Sequence, residues 1–76
     1  MHRGKLDIIV NLLEVCKEEA LKTNLVYKTN LNFKLVGDYL KILMEKEWVM
    51  ENGGKYLITE KGKCFLMKAR DVLSEL

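Results

Sequence analysis

Apolar residues near the start of the chain recur at intervals of three and four. Between residues 6 and 19 the repeating positions are Leu6, Ile9, Val10, Leu13 and Cys16, and Ile8, Leu12 and Val15 widen the stripe. This period is that of an amphipathic α-helix whose apolar face is buried over a wide arc. We therefore predict a first helix over residues 6–19.

Two further helices are predicted on either side of a polar turn. The shorter helix covers residues 23–29 and the longer one covers residues 33–46. Asparagine tolerates left-handed backbone angles, and its side chain can accept a backbone N–H. We therefore expect Asn30-Leu31-Asn32 to form the turn, with Asn32 as the N-cap of the longer helix.

The longer helix has one apolar side and one polar side when its residues are placed at steps of about 100°. The apolar side holds Leu35, Val36, Tyr39, Leu40 and Leu43, with Phe33 and Met44 at its edge. The polar side holds Lys34, Gly37, Asp38, Lys41 and Glu45. The first side is expected to join the core, and the second is free to meet a partner. Gly37 costs a helix about 1 kcal/mol relative to alanine, so it either admits DNA or a partner, contacts the first helix, or reflects drift.

The second half of the chain predicts a β-hairpin and a last helix. Residues 48–51 and 56–58 are the strands, and Gly53-Gly54 can supply the positive φ angles of the turn between them. Trp48 and Tyr56 are expected in the core of the hairpin. Thr59 is the predicted N-cap of a helix over residues 60–76. The order is α-α-α-β-β-α, a mainly α fold with a β-hairpin, in one domain over residues 1–76.

The last helix carries apolar residues at coiled-coil spacing. Phe65, Ala69, Val72 and Leu76 are four, three and four residues apart, and Leu66 and Leu73 form a neighbouring row. One row can pack on its own domain while the other faces a second chain. A 76-residue chain buries a core that only marginally outweighs chain entropy, so a homodimer is expected. The predicted dimerisation residues are Phe65, Ala69, Val72, Leu73 and Leu76.

Positive charge is concentrated on the two helices around the polar turn, although the net charge is only +2. Residues 22–41 hold four lysines against Asp38, whereas the residues before Lys22 sum to −1. DNA phosphates favour such clusters because neutralising them releases counterions, and helix N-termini add free N–H groups. In the major groove Asn can pair with adenine and Lys with guanine. The predicted DNA contacts are Thr23, Lys28, Thr29, Asn30, Asn32, Lys34, Asp38, Lys41 and, on the hairpin, Lys55. The alternative is that these residues form an ordinary helix cap and a solvent-exposed helix face that bind no DNA.

Catalytic and metal-binding patterns are missing from the sequence. His2 is the one histidine, and Gly53-Gly54 precedes a strand and not a helix, so it is not a phosphate loop. We predict no enzyme activity, no cofactor and no metal site. Cys16 and Cys64 have no CxxC spacing; buried thiols are favoured over a disulfide between the first and last helices or between two chains.

The sequence contains no apolar run of the roughly 20 residues that a membrane span needs, and its N-terminus lacks a secretory core. A cytoplasmic, nucleoid-associated protein without a membrane partner is therefore expected.

Two stretches of the chain together resemble archaeal winged helix-turn-helix regulators. They are LKTNLVYKTNLNFKLVGDYLKILMEKEWV and YLITEKGKCFL. The shared positions are Lys22-Thr23, Val26-Tyr27-Lys28, Asn30-Leu31, Tyr39-Leu40, Leu43, Tyr56, Ile58-Thr59, Lys61-Gly62 and Phe65-Leu66. The resemblance implies a small DNA-binding protein, and some relatives dimerise through a long C-terminal helix. Here that helix spans only about 25 Å at 1.5 Å per residue, which argues against a long coiled coil and leaves a compact dimer open.

These observations lead to one expected function and two alternatives. We expect a homodimer that binds specific sites on double-stranded DNA and regulates transcription. The alternatives are a nucleoid-type protein that binds DNA without sequence preference, and a winged helix used for protein interaction.

Overall fold

Four α-helices and one three-stranded antiparallel sheet form over residues 4–75, the part of the chain that the computed structural model describes. The helices are α1 (Lys5–Val15), α2 (Lys22–Thr29), α3 (Phe33–Glu45) and α4 (Glu60–Ser74). The strands are β1 (Ala20–Leu21), β2 (Val49–Asn52) and β3 (Lys55–Ile58). All four predicted helices and the hairpin are confirmed. None of the helices in this part of the chain is long and apolar enough to cross a membrane.

The strand β1 is a feature that the sequence pattern did not predict. It pairs with β3 at Ala20↔Tyr56 and Leu21↔Lys55, which gives the sheet the order β1-β3-β2. The same region ends α1 earlier than predicted, at Val15 instead of residue 19. The Cys16 carbonyl accepts a hydrogen bond from the Ile58 N–H at 2.8 Å, so the chain leaves the helix to join the sheet.

The core lies where α1, α2 and α3 meet the inner face of the sheet and α4. Its fully buried side chains are Leu12, Leu13, Cys16, Leu25, Val36, Leu40 and Leu43. Three of these come from α3, and Lys34, Asp38 and Lys41 on its other side are exposed. The predicted division of α3 into a core side and a free side is confirmed.

The predicted caps and turns are also present. Asn30 ends α2 with φ 59° and ψ 36°, in the left-handed region. The Asn32 side chain accepts the Leu35 N–H at 2.7 Å at the start of α3. Thr59 caps α4 by accepting the Gly62 N–H at 3.0 Å, and its hydroxyl donates to the Glu47 carbonyl. The side chains of Asn32 and Thr59 therefore each satisfy a backbone N–H that the start of a helix leaves unpaired.

The two cysteines are free thiols in different surroundings. Cys16 is fully buried, and burial raises the pKa of its thiol to about 11. The prediction of a buried thiol is confirmed for Cys16 but is wrong for Cys64, which is exposed on α4. Cys64 lies on the outer side of α4, whereas Leu66 and Ala69 on the opposite side enter the core.

The close packing of α4 on the start of the hairpin depends on Gly62. A Cβ atom at this position would lie 2.1 Å from the Trp48 carbonyl oxygen and 2.8 Å from Cγ1 of Ile58. The Trp48 oxygen also accepts the Thr59 N–H at 2.9 Å, so it cannot move without breaking that hydrogen bond. Only glycine allows this approach.

Gly62→Ala is predicted to destabilise the domain by about 3 kcal/mol or more. The added methyl group would clash with the backbone of Trp48, and rotating a side chain cannot relieve that clash. Gly37→Ala is the matched control, since an added Cβ there meets only the flexible end of Lys22. Urea denaturation of both variants checks the prediction. Equal stability of the two variants would contradict the proposed packing.

Candidate nucleic-acid interface

The turn between α2 and α3 sets the angle between these two helices. Asn30 takes the left-handed conformation, and the Leu31 N–H donates to the Val26 carbonyl at 3.3 Å. Asn32 then starts α3 in an extended conformation. Both asparagines are exposed, so they shape the turn from its outer surface and remain accessible.

One predicted contact residue in this motif is not accessible. Thr29 has an exposed fraction of 5%, and its hydroxyl donates a hydrogen bond to the Leu25 carbonyl. The structure therefore does not support the predicted DNA contact of the Thr29 side chain. A threonine late in a helix can donate its hydroxyl to the carbonyl four residues earlier, and here that local bond satisfies a hydroxyl that the fold buries.

The free side of α3 carries a salt bridge between two predicted contact residues. Lys34 Nζ lies 3.3 Å from Asp38 Oδ2, and their side chains are 86% and 53% exposed. A pair this exposed contributes little to stability, and the order lysine before acid is the weaker one on a helix. A phosphate or a base acceptor can therefore compete for Lys34, and a base amino group can compete for Asp38. Until one of them does, the charge of Lys34 is balanced locally.

The surface of α2 adds exposed polar and aromatic groups beside α3. Thr23 and Lys28, both predicted contacts, are exposed. Lys28 also borders a groove lined by Glu14, Glu18 and Glu19, whose charges lower the positive potential there. Tyr27 is 86% exposed, so it does not pack under the turn. Its hydroxyl is available to a partner.

Lys22, at the start of α2, contributes to the predicted positive cluster but is not one of the predicted contact residues. Its ammonium nitrogen lies 5.7 Å from the centre of the Phe33 ring. A Cβ atom at Gly37 would lie 2.9 Å from the same nitrogen. The neighbour of Gly37 is therefore Lys22 and not the first helix. The number of lysines in the sequence does not reveal this contact of Lys22, because the contact joins residues from two helices.

The hairpin presents one lysine near its tip. Lys55 is exposed and pairs in register with Asn52 across Gly53 and Gly54, whose φ angles are 60° and 82°. Glu51 is also exposed on the neighbouring strand. The tip is accessible, but the positive charge of Lys55 is nearly balanced by the negative charge of Glu51.

The base of the hairpin confirms the predicted core role of Trp48. Its ring stacks on Phe65 of α4 with centroids 3.8 Å apart and an angle of 16°. Tyr56 is half-buried, and burial raises the pKa of its hydroxyl, with Glu51 and Cys16 adding to the rise. Both rings are thus part of the domain's packing.

The predicted dimerisation residues of α4 have different surroundings. Ala69 is 5% exposed and belongs to the core of its own domain, so its side chain has almost no surface for a second chain. Phe65 and Leu73 are half-buried, and Val72 is 52% exposed. Leu76 lies outside the described residues. The row therefore follows the edge of the buried side of α4.

No cluster of three metal-ligating side chains forms within residues 4–75. What these residues do bring together is a capped turn, an exposed polar helix face, an adjoining helix and a hairpin tip. The sequence model of the winged helix-turn-helix family matches residues 2–76. The chain belongs to the winged helix-turn-helix family.

Proteins of similar sequence and structure include archaeal ones, in agreement with the resemblance. The chain is 34% identical over 71 residues to the uncharacterised protein MJ0290 of Methanocaldococcus jannaschii, covering 92% of this chain and 34% of that protein. It is 31% identical over 62 residues to MJ0287 of the same organism, covering 80% of this chain and 64% of that protein. The chain thus spans about a third and just under two thirds of these relatives.

A solved structure with the same winged helix-turn-helix fold is that of Sso10a-2, a DNA-binding protein from Sulfolobus solfataricus. The two structures agree with a TM-score of 0.86 at 28% identity, covering 95% of this chain and 80% of that one. The fold of this chain is therefore shared with an archaeal protein that binds DNA.

Proposed function

We propose that this chain binds double-stranded DNA through α2 and α3, and that as a homodimer it recognises specific sites and regulates transcription. The observation that carries the proposal is the exposed polar face of α3, which stands free of the core beside the capped turn. The DNA binding of Sso10a-2, a structural neighbour with this fold, supports it.

The shape of α3 suits the major groove. A helix of this width fits the groove, and a recognition helix contacts base edges through its first turns. Asn32, Lys34 and Asp38 occupy those turns and are exposed. Lys41 lies one turn after Asp38 and two turns after Lys34 and can reach the DNA backbone. Thr23 and Lys28 on α2, and Lys55 on the hairpin, are placed to contact flanking phosphates.

The modest charge of this surface favours specific over purely electrostatic binding. A protein that held DNA by phosphates alone would gain from every cation and lose from every acid on its contact face. Asp38 lies in the middle of that face and balances Lys34. An acid there is useful only if it accepts a hydrogen bond from a base, as Asp does from the cytosine amino group.

A homodimer would double this small contact surface. Two-fold symmetry would place two α3 helices about 34 Å apart on successive major grooves and would match a pseudo-palindromic site. The exposed edge of α4 at Val72, beside the half-buried Phe65 and Leu73, is the proposed contact between protomers. Protein interaction is the second candidate, since the exposed rings of Tyr27 and Phe33 would also suit a protein partner.

Duplex DNA titrated at about 50 mM and about 200 mM salt tests the proposal. The wild type is expected to bind at low salt and to weaken steeply at high salt, because counterions are released. Lys41→Ala should reduce the salt slope by about 0.9 per site. Lys5→Ala, an exposed lysine on α1, is the control that should leave binding unchanged. Failure of the wild type to bind at low salt would favour the protein-interaction alternative.

Asp38→Ala, which removes both the charge and the hydrogen-bond acceptor, is predicted to separate specific from non-specific binding. Removing the acid frees Lys34 and should tighten binding to random duplex, while the preference for a selected site falls by about tenfold or more as the base contact is lost. Competition between a selected site and random duplex measures both effects. An equal gain on both duplexes would support the nucleoid-type alternative.

Val72→Glu is predicted to convert the dimer into a monomer with little effect on stability, because the side chain is 52% exposed in one chain. Met67→Glu is the matched control, since Met67 is 67% exposed on another side of the same helix. Light scattering gives the mass of each variant. A wild type that is already monomeric, or a Val72→Glu variant that stays dimeric, would exclude this interface.

A further inference from the structure

We propose that the space left by the missing side chain of Gly37 holds the end of the Lys22 side chain, and we call this space the seat of Lys22. The ammonium group held there is a preformed site for a DNA backbone phosphate on the α3 surface. This inference rests on the proposed DNA binding and adds a contact that links the start of α2 to the recognition helix. It assigns one function to two residues that are 15 positions apart in the sequence.

The geometry joins three residues. Lys22 is the first residue of α2, and its half-buried side chain crosses to α3. Its ammonium lies 5.7 Å from the Phe33 ring centre. Phe33 and Gly37 are one helical turn apart, so the lysine lies along one turn of α3. A Cβ on residue 37 would lie 2.9 Å from Nζ and 3.5 Å from Cε.

Nothing else in the surroundings explains a glycine at position 37. The residue lies inside α3, and the glycines with positive φ are Gly53 and Gly54 within residues 4–75, so its backbone angles do not require glycine. Outside its own helix and chain neighbours, the atoms within 4 Å of an added Cβ all belong to Lys22. Glycine costs a helix interior about 1 kcal/mol relative to alanine, and the space it leaves is filled by one lysine.

The seated ammonium keeps its full charge available to an anion. No carboxylate in residues 4–75 lies within 4 Å of Lys22 Nζ, whereas Lys34 on the same surface is paired with Asp38. The Phe33 ring attracts a cation through its quadrupole without neutralising it. A free lysine loses rotamer freedom when it binds, and holding it beforehand reduces that loss. A phosphate diester beside α2 and α3 is the anion that this arrangement fits.

A different explanation gives Gly37 a direct role, in which its bare backbone lets DNA approach α3. The two explanations differ in one respect. If glycine serves to seat Lys22, then Gly37→Ala matters only while Lys22 is present. If glycine serves DNA directly, Gly37→Ala weakens binding equally with and without Lys22. A double-mutant cycle separates them.

The experiment compares the full chain with Lys22→Ala, Gly37→Ala and the double variant on one duplex at about 50 mM and about 200 mM salt. Lys22→Ala should weaken binding, and the ratio of wild-type to variant affinity should shrink about threefold across that salt range, as one lost phosphate contact requires. Introduced into the wild type, Gly37→Ala should weaken DNA binding. Introduced into the Lys22→Ala variant, the same substitution should leave the affinity for DNA unchanged. The melting temperature of the Gly37→Ala variant should equal or exceed that of the wild type, which excludes misfolding as the cause.

Two results would overturn the inference: full affinity in Gly37→Ala, or the same loss in both backgrounds. The seat also has a readout that needs no DNA. In protein with 13C-dimethylated lysines, which keep their charge, the Lys22 methyl signal should be shifted by the Phe33 ring current and should lose that shift in Gly37→Ala. A shifted signal in a protein that binds no DNA would disprove the proposed function and its phosphate site while leaving the seat itself intact; an unshifted signal would disprove the seat.

Discussion

Burial of one side of α3 is the constraint on which the rest of the structure depends. Val36, Leu40 and Leu43 are almost completely removed from solvent, and each such side chain contributes about 1.5–3 kcal/mol when fully buried. Because a helix places residues three and four apart on one side, this burial also determines which residues face outward. The free surface of Lys34, Asp38 and Lys41 is a geometric consequence of the core. The direction in which this polar side of α3 faces is therefore fixed by the packing of the opposite side in the core.

The end of α3 is tied to both the hairpin and α4 by a short junction. Glu47 turns the chain with φ 63°, and the Trp48 N–H donates to the Leu43 carbonyl at 2.9 Å. The Trp48 carbonyl meets α4 across Gly62, while its ring stacks on Phe65. The strand β2 and the start of α4 thus share one anchor. Any partner bound by α3 and the hairpin together meets two elements whose relative position is set at this point.

Much of this fold could be predicted from sequence because its signals are local. Helical period, an asparagine pair at the turn, two glycines at the hairpin and a threonine cap each act within a few residues. The strand β1 could not be predicted, since two residues show no period and form a strand only because β3 offers them an edge. The end of α1 has the same cause: polar residues 17–19 continue the helical pattern, but Cys16 bonds to the sheet.

The candidate interface shows the same limit. Exposure of Asn32, Lys34 and Lys41 follows from the helical period and could be foreseen. The burial of Thr29 depends on how the end of α2 packs against the rest of the domain, and the burial of Ala69 on where the edge of the core falls across α4. The Lys22 contact depends on how α2 crosses α3. A long lysine stem reaches several ångströms from its own helix, so its surface position is decided by the neighbouring element and not by its own period.

The distribution of charge on α3 has a consequence for how a partner would be selected. Lys34 is balanced by Asp38, whereas Lys22 is held by a ring that leaves its charge intact. Electrostatic attraction then comes from the edge of the helix, and the centre of the face is close to neutral. A neutral centre gains little from a uniform phosphate backbone, because each added cation contact is offset by the nearby acid. It gains from a partner that supplies an acceptor to Lys34 and a donor to Asp38 at the right spacing, and base edges in the major groove offer that combination.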